Sequence, residues 1–205
     1  GFNNIAIGYD ALGTNTASGA NVAIGYEALK TYNNTTEASH FNTAVGTQAG
    51  KAVTTGIQNT LIGGGAGDAL TDADSNVAIG YLSLTTDTLG SRSIAIGQGA
   101  LYSQNFTTGT NSYNVAVGYE AGGAVTTGDS NTLIGGLAGD ALTVGNSNVV
   151  LGYNALSSDT KGDRSVAIGM ATLTTQNFTT STDAYNTAVG FAAGNAVTTG
   201  VQNTL

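Results

Sequence analysis

Along this chain a short pattern of polar, bulky apolar, small, bulky apolar and glycine recurs eleven times. The copies are NIAIG, NVAIG, NTAVG, NTLIG, NVAIG, SIAIG, NVAVG, NTLIG, NVVLG, SVAIG and NTAVG. Their glycines are Gly8, Gly25, Gly46, Gly63, Gly80, Gly97, Gly118, Gly135, Gly152, Gly169 and Gly190. The gaps between them are 17 residues, except for 21 after Gly25, Gly97 and Gly169, so a 72-residue superperiod overlies the short one. Alternation with a period of two predicts a strand at each copy. Val22 and Ile24 then share one face, and Ala23 and Gly25 share the other. The bulky face is expected to line the interior, leaving the flat Ala/Gly face open to close approach.

Seven residues before the motif glycine stands a turn former or small residue, among them Gly56, Gly90, Asn111, Gly128, Gly145, Gly162, Asp183 and Gly200. With the motif glycine this predicts two bends per repeat. A 17-residue coil spans at most ~56–60 Å when extended, enough for two short strands and two turns. The predicted fold is all-β: a parallel β-roll or β-solenoid of 17- and 21-residue coils. At ~4.8 Å per coil, eleven coils make a rod about 50 Å long. No linker interrupts it, so residues 1–205 read as one repetitive segment with superrepeats at 25–96, 97–168 and, in part, 169–205. The last coil stops at NTL, short of its Ile-Gly, and is read as continuing into a longer fibre.

Four residues before each motif glycine lies a polar column: Asn4, Asn21, Asn42, Asn59, Asn76, Ser93, Asn114, Asn131, Asn148, Ser165 and Asn186. Stacked Asn side chains are expected to hydrogen-bond along the column, as in cross-β arrays. The coils also differ in kind. Some follow the glycine with Ala-Leu, as at Ala28-Leu29 and Ala100-Leu101, and others with Ala-Gly, as at Ala49-Gly50 and Ala121-Gly122. The 21-residue coils carry a four-residue insertion, which the superperiod aligns along one side of the rod.

Composition narrows the function classes. Of 205 residues, 31 are Gly and only 9% are charged; Pro, Cys and Trp are absent. Small and β-branched apolar residues suit a thin interior of strands. The net charge of −8, with five basic residues, offers no cationic stripe for phosphate backbones or anionic lipid. Nucleic acid is therefore not an expected partner. No run of about 18 apolar residues is present, so no membrane insertion is expected in this segment.

NVAIGYEAL, NTAVGTQAG and SVAIG resemble the head repeats of trimeric autotransporter adhesins, and the NTAIGYQAG-type arrays of phage tail-fibre and bacterial surface proteins. The resemblance spans the chain. It implies a left-handed parallel β-roll, a homotrimer, and display outside the cell on a cell or virion surface for attachment. Adhesin head repeats are usually shorter than these and lack the superperiod.

No catalytic constellation is expected. The single histidine, His40, has Ser112 and Ala184 as its superperiod counterparts, and reads as a solvated loop residue. With no Cys and one His, neither a thiol nor a Ser-His-Asp site is supported. GGGAGDALT and GGLAGDALT resemble a calcium repeat but with shifted spacing, and Gly63 to Gly67 lacks the Lys-Ser/Thr of a phosphate loop. No cofactor or metal is expected. The long loops carry Tyr32, His40, Phe41, Phe106, Tyr113, Phe178 and Tyr185 as candidate ligand-facing residues. They also carry the sequons at Asn33, Asn105 and Asn177. A further column, Tyr9, Tyr26, Tyr81, Tyr119, Tyr153 and Phe191, follows the motif glycine and is expected to cap the thin core. The expectation is a non-enzymatic fibre segment whose partners are itself, as homotrimer or filament, and a cell-surface glycan or protein. The alternatives are a purely mechanical filament and an ice-binding solenoid.

Overall fold

The computed structural model describes residues 1–205. Each copy of the motif forms a three-residue strand. They are β1 (Ile5–Ile7), β2 (Val22–Ile24), β3 (Thr43–Val45), β4 (Thr60–Ile62), β5 (Val77–Ile79), β7 (Ile94–Ile96), β9 (Val115–Val117), β10 (Thr132–Ile134), β11 (Val149–Leu151), β13 (Val166–Ile168) and β15 (Thr187–Val189). Two-residue strands β6 (Gly90–Ser91), β8 (Thr110–Asn111), β12 (Gly162–Asp163) and β14 (Thr182–Asp183) belong to the long coils. The eleven motif strands form one parallel sheet in chain order, with like positions paired, as in Val22↔Thr43 and Ile94↔Val115. On a second wall β6 pairs with β8 and β12 with β14, and the Gly19↔Ser39 bridge marks the same place one superperiod earlier. The chain is a parallel β-solenoid, one coil per repeat, and the recurrent glycines lie in file.

The faces of the sheet are the reverse of the expectation. Ala23, Ala44, Ala78, Ala95, Ala116, Ala167 and Ala188 are fully buried, as are Leu61, Leu133 and Val150 in the same column. The bulky residues on either side of them are half-buried or exposed. Alternation identifies two faces without saying which is inside. The Asn column decides it: it stands two residues before the Ala column, so both share a face, and both are buried. A coil this short encloses only a narrow interior, which small residues fill.

The interior is completed by size compensation between two further columns. Where the fourth residue after the motif glycine is Leu, as at Leu29, Leu84, Leu101, Leu156 and Leu173, the seventh is polar or Tyr: Tyr32, Asp87, Gln104, Asp159 and Gln176. Where the fourth is Gly, the seventh is Val53, Leu70, Val125 or Leu142. A Cβ on Gly50 would lie 2.6 Å from Leu61 and 3.0 Å from Leu29, so the volume is already taken.

The Asn column hydrogen-bonds side chain to side chain along part of its length, as expected, with Asn148 Nδ2 donating to Asn131 Oδ1 at 3.2 Å and Asn203 Nδ2 to Asn186 Oδ1 at 2.9 Å, and it also bonds to backbone. Oδ1 of Asn59 accepts the Asn76 N–H at 2.9 Å, and Nδ2 of Asn59 donates to the Ala73 carbonyl at 2.7 Å. Asn42, Asn114, Asn131 and Asn148 repeat the pattern, and Asn21 accepts from the Asn42 N–H in the same way but donates to the nearby Gly19 carbonyl. Each Asn thus ties one coil to the next while satisfying a bend.

Candidate functional site

The most extended surfaces of the rod are its outer columns. The longest is the outward face of the main sheet. Its two columns run from Ile5 and Ile7 through Val22 and Ile24, Val77 and Ile79, Val115 and Val117, to Thr187 and Val189. Only Val, Ile, Leu and Thr occupy it. Ile7, Leu151 and Val189 are 60%, 44% and 59% exposed. At ~4.8 Å per strand and ~7 Å between columns, the face covers on the order of 500 Å² once side-chain width is included. That is near the upper end of apolar patches on monomeric proteins.

Beside it runs the aromatic column. Tyr9, Tyr26, Tyr81, Tyr119, Tyr153 and Phe191 do not cap the core; every one is exposed. The motif glycine turns the chain outward at φ of 129–146°, in a corner where a Cβ on Gly25 would sit 2.4 Å from the Gly46 carbonyl. The next side chain therefore leaves the roll. Tyr9 and Tyr26 stack with centroids 5.5 Å apart and planes 13° from parallel.

The long-loop candidates divide. Phe41, Tyr113 and Tyr185 are exposed, at the positive-φ position five residues before the motif glycine. The Arg92 guanidinium lies 5.7 Å from the Tyr113 ring centre and donates to its hydroxyl at 2.7 Å. Arg164 sits likewise over Tyr185 and pairs with Asp183. Tyr32, His40, Phe106 and Phe178, by contrast, are buried and face no ligand. His40 is therefore not a solvated loop residue. It meets Tyr32 edge to face at 6.2 Å, and neither Tyr32 Oη nor His40 Nδ1 finds a hydrogen-bond partner.

The counterpart of that pair one superperiod on is a buried polar network that sequence reasoning missed. Asp87 accepts the N–H groups of Gly90 and Phe106 at 3.1 and 3.0 Å and the Gln104 amide at 2.6 Å. Gln104 also donates to Ser93 and accepts from Asn114, bridging the place where Ser interrupts the Asn column. Asp159, Gln176, Ser165 and Asn186 repeat this arrangement. The signal was available: Asp, Gln and Ser recur at the same superperiod offsets. Seventy-two residues earlier, Asn15, Tyr32 and Asn21 stand there instead.

The sequon residues lie on one rim. The side-chain oxygen of Asn33 accepts from Thr16, that of Asn105 from Thr88 and that of Asn177 from Thr160. These contacts hold loop to coil, and Asn177 is exposed.

Charge is concentrated in a few places. Glu27 is bonded by Lys30 at 2.6 Å, by Gln48 at 3.0 Å and by Lys51 at 3.0 Å. These bonds, that from Lys30 foremost, hold its carboxyl down at about 2. Of the two calcium-like segments, Asp68 accepts the Thr85 hydroxyl, while Asp140 borders a cavity of about 360 Å³. No group of three His, Cys, Asp or Glu side chains converges anywhere on the rod. No helix is long and apolar enough to cross a membrane.

The fold and its outer columns define a class, a parallel β-solenoid with an apolar sheet face and an aromatic edge. Comparison with protein families, with curated proteins and with solved structures finds no match.

Proposed function

We propose that this chain is a segment of an extracellular fibre or adhesin, non-enzymatic, in which copies of the chain associate through the outer face of the main sheet. The observation that carries this reading is the outward face of all eleven strands, mostly Val and Ile with Thr43, Thr60, Thr132, Thr187 and Leu151 among them and no charged residue. Water-exposed apolar area of this extent is unfavourable by about 25 cal/mol per Å², and a second copy with the same coil spacing is its natural cover. Three rods around a common axis would close the association, in line with the resemblance to trimeric adhesin heads and their left-handed rolls. The remaining walls, with the aromatic column and the loop residues Phe41, Tyr113 and Tyr185, would then face outward for attachment to a cell-surface glycan or protein.

Sedimentation equilibrium on the intact chain tests the reading. A trimer is expected, and Ile79→Asp with Val117→Asp should yield monomers that keep the β-sheet circular dichroism. A native chain that stays monomeric at tens of micromolar would sink the proposal. Unbranched, growing fibres in electron micrographs would instead favour the mechanical filament.

A further inference from the structure

We propose that Asn33, Asn105 and Asn177 are attachment sites for N-linked sugar, one on each long coil. The other coils of the rod supply the comparison. Eight residues after the motif glycine they all have Thr, and two places further on they have Gly, Ala or Ser, as in Thr54-Thr55-Gly56 and Thr71-Asp72-Ala73. The three long coils change both places together, to Asn and Thr: Asn33-Asn34-Thr35, Asn105-Phe106-Thr107 and Asn177-Phe178-Thr179. Asn is common throughout the chain, yet Asn with Ser or Thr two places on occurs only in these loops.

Coil stacking does not ask for Asn at the first of these places. The hydroxyls of Thr54, Thr71, Thr126 and Thr143 each donate to a backbone carbonyl of the next coil, at 2.9–3.2 Å. Asn33, Asn105 and Asn177 make no such forward bond. Their Oδ1 atoms accept from Thr16, Thr88 and Thr160 of the preceding coil, and none of their Nδ2 atoms donates to the chain. Each amide is held by its oxygen while its nitrogen stays open to water. The second place points the same way. In short coils it is hemmed in, since a Cβ on Gly56, Gly128 or Gly145 would lie 2.3–2.5 Å from a carbonyl of the next coil. The insertion carries it outward, and Thr35, Thr107 and Thr179 are all exposed. An open Asn nitrogen with a Thr hydroxyl two residues on is the acceptor that an asparagine glycosyltransferase takes. The donor is a sugar diphosphate carried by a nucleotide or a polyprenol. Nδ2 bonds to the anomeric carbon, the bond from that carbon to the phosphate oxygen breaks, the diphosphate leaves, and one Nδ2 proton passes to the transferase. Asn34 also begins a sequon, with Thr36, but its Nδ2 already donates to the Thr55 carbonyl at 3.0 Å, so the site is Asn33. Successive sites stand four coils apart, about 19 Å along the rod.

The chain purified from its natural source would be weighed intact and mapped by peptide mass spectrometry. Sugar is expected on Asn33, Asn105 and Asn177 and not on Asn34. An intact mass equal to that of the bare sequence would overturn the proposal. The unmodified chain would also be incubated with a purified asparagine glycosyltransferase and either UDP-glucose or a polyprenyl-diphosphate oligosaccharide. Whichever donor loads the three sites names the source of the sugar, and loading by neither counts against them. Thr107→Val should abolish loading at Asn105 and leave Asn177 loaded. Asn105→Thr separates an acceptor from a structural amide. It installs the residue of the short coils and leaves Thr88 its bond to the Phe106 carbonyl. In the unmodified chain it should therefore keep or raise Tm while losing the site. A lowered Tm in Asn105→Thr, or loading at Asn105 that survives Thr107→Val, would each overturn the proposal.

Discussion

At the scale of single residues, the coil is held in shape by left-handed backbone. Three positions per coil besides the motif glycine have φ near +50 to +65°, and residues other than glycine occupy most of them, including Leu29, Ser75, Leu101, Ser130 and Ser147. An L residue there costs roughly 1–2 kcal/mol. The leucines among them, such as Leu29 and Leu101, are retained for their side chains, which are core. Ser130 is exposed, so Ser130→Gly should stabilise the rod by up to about 1 kcal/mol, read as a higher midpoint in urea. Gly97→Ala should do the opposite. Its Cβ would lie 2.3 Å from the Gly118 carbonyl, and a loss above about 2 kcal/mol is expected in the same measurement.

Tyr32 makes a second residue-scale prediction. Burial pushes its phenol up to about 12, so the fold favours the neutral form. Its contribution is fully present below the ordinary value of 10.0 and is lost as pH rises from there toward 12. Tyr32→Phe also removes a buried hydroxyl that has no partner. The variant should be at least as stable as the parent at neutral pH and should lose less stability above pH 10 in thermal melts.

At the scale of elements, what joins one coil to the next is polar as much as apolar. Asn76 links Asn59, Gly90 and Ser93 from inside the roll. Asn76→Ala keeps the backbone bond to Asn59 but strands the Gly90 carbonyl and the Ser93 N–H on the following coil, and should cost about 2–4 kcal/mol. Asn76→Leu should do no better, because the lost partners are amides and carbonyls. Amide exchange would show faster opening confined to the following coil. The Glu27 cluster couples coils by charge. Its lowered carboxyl contributes stability that is present above the ordinary 4.5 and is lost as pH falls through about 2. Lys30→Met with Lys51→Met should flatten the acid limb of the stability curve across that window, and should also flatten the alkaline limb above 10.5, because Glu27 holds the Lys30 ammonium above its ordinary value.

The strand positions, their order and their register were all legible at this scale, because backbone pairing in a solenoid repeats whatever the sequence repeats. Which strand face turns inward was misread, although Asn21 and Ala23, two residues apart, carried the answer. The Asp87–Gln104–Ser93 network escaped because its members lie on different coils and form a unit only once those coils stack.

At the scale of the whole molecule, the rod presents an apolar wall, an aromatic edge and a loop-bearing wall. Each follows from a column rather than from any one residue. Disrupting the apolar wall should therefore depend on place less than on number: Ile24→Asp, Ile96→Asp or Ile168→Asp alone should weaken self-association partially and to similar degrees. Any two together should yield monomer at micromolar concentration in sedimentation velocity. A single variant that abolished association outright would mean that the interface is local instead of continuous.

By itself the sequence determined the coil length, the parallel register, the superperiod and the existence of the Asn column, because each is a periodicity that stacking can only preserve. Only the tertiary structure decided which residues meet water. It put Ile and Val outside and Ala inside, since the narrow bore of a 17-residue coil excludes two bulky columns. It buried Tyr32, His40, Phe106 and Phe178 beneath the long loops, and it set Glu120 and Asp140 around a space that no side chain of this chain fills.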